Sequence, residues 1–126
     1  ERFPEEDSSF VCGTYYFPLS PSSALDPNKV KVVFNKNNSA MYFSRSPIPI
    51  KGPYYKHIGV YLYRRNFIKK YLKLLPLKCE SSENLEQLRI LEYGYGIFVT
   101  QLLEDTIGVD TEEDLKKIEG FLKNGI

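Results

Sequence analysis

Hydrophobic and polar positions along the chain change period several times, and each change marks an element. Residues 10–17, FVCGTYYF, form an apolar and aromatic run that predicts a strand. PLSPSSALDPN follows, where three prolines and several turn formers defeat any regular pattern and predict a loop. KVKVVF and AMYFS predict two strands joined by NKNNS, a hairpin turn rich in asparagine, which tolerates positive φ. SPIPIKGPYY predicts an extended loop stiffened by prolines.

The next stretch, YYKHIGVYLYRR at residues 54–65, alternates like a strand and holds the chain's single histidine. In an extended conformation Ile58, Val60 and Leu62 fall on one face, and His57, Gly59, Tyr61 and Tyr63 on the other. The aliphatic face is expected against a core. The second face sets His57 and Tyr61 roughly 13 Å apart at about 3.3 Å per residue, with Gly59 leaving the floor between them bare. That is the shape of a groove for a polar ligand; an amphipathic strand with a solvated histidine at its start is the alternative.

Beyond the strand the period becomes helical. In RRNFIKKYLKLL, Phe67, Ile68, Tyr71, Leu72 and Leu75 recur at helical spacing, with Arg65, Lys69, Lys70 and Lys73 on the remaining surface. ESSENLEQLRILEYGYG predicts a second helix, with serine and glutamate suited to its first turn and Gly94 to its stop. IFVTQLL predicts a strand, and DTEEDLKKIEGFLKN a final helix with Leu115, Ile118 and Leu122 facing inward. Strands alternating with helices define an α/β class.

Composition narrows the picture. A chain of 126 residues holds one domain with a single core. With 42% hydrophobic and 26% charged residues it falls among globular proteins, away from disordered and fibrous classes. No apolar run approaches a membrane span and no signal peptide is apparent, so the cytoplasm is the expected compartment. Cys12 and Cys79 lack metal-site spacing and read as ordinary thiols. A net charge of +1 gives no general electrostatic case for nucleic acid or an anionic membrane. The basic helix after residue 64 reads as a solvated face on a packed helix, with RNA contact the more remote alternative.

Three clusters could carry chemistry. In ENLEQLRILE the leucines at 85, 88 and 91 share one side and predict core, leaving Glu86 and Gln87 to present an acidic acceptor beside a neutral amide, a combination suited to sugar hydroxyls. Ordinary helix surface explains the pair equally simply. In TIGVDTEEDL, Asp110 stands between a short extended piece and the last helix, where a carboxylate can hold a hard cation or merely cap the helix. In AMYFSRSPIPI, Arg45 sits after a strand and before a stiff loop, placed either to clamp a carboxylate or phosphate or to lie on the surface.

Taken in order, DPNKVKVVF, AMYFSRSPIP, HIGVYLYRR, ENLEQLRILEYG and GVDTEEDL resemble the successive C-terminal motifs of the 3-deoxy-manno-octulosonate cytidylyltransferases, the CMP-KDO synthetase family. The resemblance runs from about Phe10 to Ile118. It implies a Rossmann-like α/β nucleotidyltransferase fold, of which this chain would be the C-terminal, sugar-binding half with a mixed sheet and flanking helices. It implies transfer of CMP from CTP to KDO with Mg²⁺, by a cytoplasmic enzyme that is a homodimer when complete. Arg45, His57, Tyr61, Glu86 and Gln87 are then expected at the sugar acid, and Asp110 at the metal. The family's Ile-Pro-Ala-Arg strand with its phosphate loop, and its Gly-Asp-Glu-Pro segment, have no counterpart here, and Leu77 stands where the family carries serine. A chain of this content is expected to be inactive alone; a non-catalytic sugar-acid-binding or interaction module derived from the family is the alternative.

Overall fold

The computed structural model describes residues 10–103. The opening run forms strand β1 (Phe10–Leu19), and the two short apolar runs form β2 (Lys31–Phe34) and β3 (Ala40–Ser44). The histidine-bearing stretch forms β4 (Tyr54–Tyr63), and β5 (Gly96–Gln101) closes the described part. Between β4 and β5 lie three short helices, α1 (Arg65–Tyr71), α2 (Lys78–Glu83) and α3 (Leu88–Glu92). The strands form one mixed sheet in the order β3-β2-β4-β1-β5, in which only the β1–β5 pairing is parallel. None of the described helices is long and apolar enough to cross a membrane.

The asparagine turn joins β2 to β3 as expected. Asn38 takes a positive φ of 60°, and the Asn35 side chain accepts hydrogen bonds from the backbone of Asn37 and Ser39 at 2.9 and 3.1 Å. The tip of this hairpin reaches the far edge of the sheet, where Val99 N–H donates to Asn38 O at 2.8 Å and Ser39 bridges Phe98. The curl closes one face over a core of Cys12, Val32, Phe43, Phe67, Leu85, Leu88, Ile90, Ile97 and Val99.

The helical segment departs from its sequence pattern in two places. The expected first helix stops at Tyr71, so Phe67 is buried while Ile68, Leu72 and Leu75 remain exposed. The helix expected from residue 80 to Gly94 is two helices, because Asn84 turns left-handed at φ 58° and ends α2. Leu85 and Leu88 are buried, but the next core residue is Ile90, with Leu91 only half-buried. Charge holds the broken pair together: Arg89 donates two hydrogen bonds of 2.7 Å to the Glu80 carboxylate, and Glu92 accepts the Cys79 and Glu80 amides at the start of α2. Glu83 ties α2 to β3 by accepting from the hydroxyls of Ser44 at 2.8 Å and Tyr42 at 3.1 Å. Gly94, at φ +87°, stops α3 as its sequence position suggested.

Strand β4 corrects a further expectation. Its aliphatic face does not carry the core: Ile58 is buried beside its partner Tyr15, but Val60 is half-buried and Leu62 is 41% exposed. The main core instead meets the face of His57 and Tyr61, whose rings pack with Phe43 and with each other. Aromatic rings supply more apolar area than the hydrogen-bonding atoms at their edges withdraw, so a face that looks polar in sequence buries well.

Candidate functional site

A β-bulge organises the site. Thr14 of β1 pairs with Tyr61 and the next residue, Tyr15, pairs with Ile58, so Gly59 and Val60 stand out of register. Two extra residues preserve the alternation, keeping His57 and Tyr61 on one face, but they shorten the span. The ring centroids lie 5.5 Å apart, and the expected 13 Å groove floored by Gly59 is absent.

From His57 a row of rings crosses the face. Phe43 meets His57 edge-on at 4.9 Å, Tyr61 stacks on Tyr63 at 5.6 Å, and Tyr63 stacks on Tyr71 of α1 at 6.0 Å. The Tyr71 hydroxyl donates to Glu86 Oε1 at 3.0 Å, and the Arg89 guanidinium lies over the Tyr71 ring at 5.5 Å. Three of the residues singled out in sequence, His57, Tyr61 and Glu86, are therefore joined by one chain of contacts. Gln87 adjoins them at the N-cap of α3 and is buried, with 9% of its surface exposed, so it is no part of an ordinary helix surface.

Arg45 reaches the same region from β3. Its guanidinium donates to Pro27 O at 3.2 Å and Asn84 O at 3.5 Å, bracing the loop before β2 against the turn between α2 and α3. Its neighbour Lys31 is wholly buried, with Nζ donating to Asp26 O at 3.0 Å. Burial lowers the Lys31 pKa, Asp26 opposes that shift and Arg45 adds to it. Sequence alone gave no sign of this, because a lysine in an alternating strand reads as solvated. His57 N–H donates to Val30 O at 2.8 Å, so the cationic pair and the histidine belong to one end of the sheet.

Burial shifts the ring groups of the row away from their ordinary titration ranges. Burial pushes the His57 imidazole down to about 4, so it is neutral at pH 7. Burial raises Tyr61 and Tyr71 far above the ordinary phenol range, and the Glu86 carboxylate adds to both. The Cys12 thiol is pushed up to about 12 by burial, which removes it as a nucleophile. What remains is a row of neutral donors and acceptors that ends on the Glu86 carboxylate. Sequence reasoning passed over Thr14 and Tyr71, which fix His57 and Glu86; Gly59 inside a strand was the available sign of the bulge. Asp110 and the final helix lie outside the described residues. Among the described residues no group of three or more His, Cys, Asp or Glu side chains could hold a metal ion.

The fold has a solved counterpart. The structure of CMP:2-keto-3-deoxy-manno-octonic acid synthetase complexed with CTP superposes with a TM-score of 0.80 at 35% identity, covering 97% of this chain and 53% of that one. The mixed sheet with flanking helices is thus part of a Rossmann-like nucleotidyltransferase fold. Residues 17–116 match the family model described as cytidylyltransferase. The 3-deoxy-manno-octulosonate cytidylyltransferase of Fusobacterium nucleatum is 46% identical over 128 residues, covering 98% of this chain and 52% of the relative. That of Parabacteroides distasonis is 49% identical over 114 residues, covering 82% and 45%. The chain belongs to the cytidylyltransferase family, and it spans about half the length of the curated relatives it matches.

Proposed function

We propose that this chain is the sugar-binding half of an enzyme that transfers CMP from CTP to 3-deoxy-manno-octulosonate, releasing pyrophosphate. The observation that carries this reading is the continuous row from His57 through Tyr61, Tyr63 and Tyr71 to Glu86, in a chain whose relatives are cytidylyltransferases for that sugar acid. Arg45 meets the sugar carboxylate, because a planar guanidinium with donors to spare suits a carboxylate. His57, Tyr61, Glu86 and Gln87 meet hydroxyls. The anomeric hydroxyl, held in this orientation, attacks the α-phosphate of CTP bound by the other half of the enzyme; holding the two reactants in line is the contribution of this half.

Asp110 would be one ligand of a bound Mg²⁺, which would supply neutralisation of phosphate charge; the described residues supply no further ligand set. The complete enzyme is a cytoplasmic homodimer. The test is steady-state kinetics on the full-length protein. His57→Ala and Glu86→Gln should each reduce kcat/KM for the sugar acid by about 5- to 150-fold, as expected for one lost hydrogen bond to a polar or charged group, and leave KM for CTP unchanged. Equal losses on both substrates would overturn the assignment.

A further inference from the structure

The bulge in β4 leaves two carbonyl groups, of Ile58 and Val60, turned toward a single side chain on β1. Thr14 Oγ1 lies 2.9 Å from Ile58 O and 2.8 Å from Val60 O, and 3.0 Å from Nε2 of His57. Thr14 is 2% exposed, so water cannot take over any of these contacts.

Counting protons decides the direction of each bond. A threonine hydroxyl has one proton and two lone pairs, and a carbonyl oxygen can only accept. The hydroxyl proton is therefore committed to the two carbonyls, and the remaining contact, with Nε2, works only if His57 donates. The neutral imidazole then carries its proton on Nε2 and a lone pair on Nδ1. Nδ1 has no hydrogen bond to a described residue. Because no side-chain nitrogen or oxygen among those residues is both wholly buried and unsatisfied, Nδ1 is not sealed from the surface.

We infer that Thr14 is a positioning residue: by accepting from Nε2–H and pinning the bulge, it presents His57 Nδ1 to the ligand as an obligatory hydrogen-bond acceptor. The inference rests on the placement of His57 in the sugar site proposed above. Its consequence is specificity. An acceptor at this position takes a hydroxyl and rejects a carboxylate, so the sugar acid binds with a hydroxyl at His57 and its carboxylate at Arg45. The depressed imidazole pKa agrees, since a protonated His57 would donate from both nitrogens and welcome the carboxylate instead.

The experiment uses the full-length protein labelled with ¹⁵N-histidine, with the His57 signals assigned by their loss in His57→Gln. At pH 7 the wild-type spectrum should show the Nε2–H tautomer alone; an Nδ1–H tautomer or an imidazolium overturns the inference whatever the kinetics show. Thr14→Val removes the hydroxyl at nearly constant shape, and should give a mixture of tautomers with KM for the sugar acid raised about tenfold and KM for CTP unchanged. Thr14→Ser should restore both the tautomer and KM. A Thr14→Val protein that keeps a pure Nε2–H tautomer also overturns the inference. If instead the tautomer shifts while KM for the sugar acid stays constant, the positioning of His57 stands and its place in the sugar site fails.

Discussion

The two ends of the aromatic row are held in opposite ways. At one end His57 is desolvated, packed edge-on against Phe43, bonded to a buried threonine, and neutral. At the other, Glu86 is exposed and its carboxylate takes a single hydrogen bond from the described residues, from Tyr71 at 3.0 Å. The first end cannot move without disturbing the core and the bulge, so its geometry is set before any ligand arrives. The second can rotate at little cost, because water competes for its carboxylate. A site with one fixed and one adjustable end takes its register from the fixed end and gains reach from the other.

Breaking the fixed end should have the largest effect. Phe43→Ala opens a cavity under His57 in the centre of the core and should cost about 3–5 kcal/mol of stability, read as a large fall in melting temperature; a fall of only a degree or two would mean that the ring does not seat the histidine. The next effect is one of pH. The folded His57 titrates near 4 against 6.5 in the unfolded chain, so as pH falls from about 6.5 to 4 the unfolded state binds a proton that the folded state refuses, and stability is lost over that window. The loss should approach about 3 kcal/mol, on the order of the pKa difference converted at 1.36 kcal/mol per unit. His57→Gln should remove that part of the slope in parallel denaturation series, and identical slopes would place the wild-type imidazole in water.

The adjustable end should respond least. Tyr71→Phe deletes one hydrogen bond to an exposed carboxylate and should cost under about 1 kcal/mol of stability. Its sharper signature is kinetic: KM for the sugar acid should rise a fewfold, by about as much as Glu86 gains freedom. A loss as large as that from Phe43→Ala would show that the two ends are equally rigid.

Much of this was legible from alternation. The five strands, the asparagine turn and the common face of His57 and Tyr61 all follow from a period of two and from turn chemistry. Three features did not. The bulge inserts two residues opposite the Thr14–Tyr15 step, and an even insertion leaves the alternation of β4 unchanged, so only the partner strand reveals it. The break at Asn84 divides one stretch of helical periodicity; asparagine tolerates the left-handed turn, and Leu85 and Leu88 then reach the core. Lys31 is buried against expectation because the loop before β2 brings a backbone carbonyl to its ammonium, a contact between segments that no single stretch encodes. The candidate site was visible as a set of residue types, whereas its distances depended on the bulge.

The interior position of β1 in the sheet also bears on how the chain acquires its fold. This strand, which precedes the other described strands in the chain, lies between β4 and β5, with Cys12 pairing Tyr63 on one side and Ile97 on the other. At the roughly 5–20 residues per second of synthesis, β1 leads both of these partners by several seconds. The β2–β3 hairpin, closed by a short turn, can form in microseconds and is the natural early structure. Completing the sheet requires the long loops from β1 to β4 and β5 to close, which places this polypeptide among slow folders of high contact order. An apolar strand left open in that interval is the segment most exposed to pairing with the wrong chain.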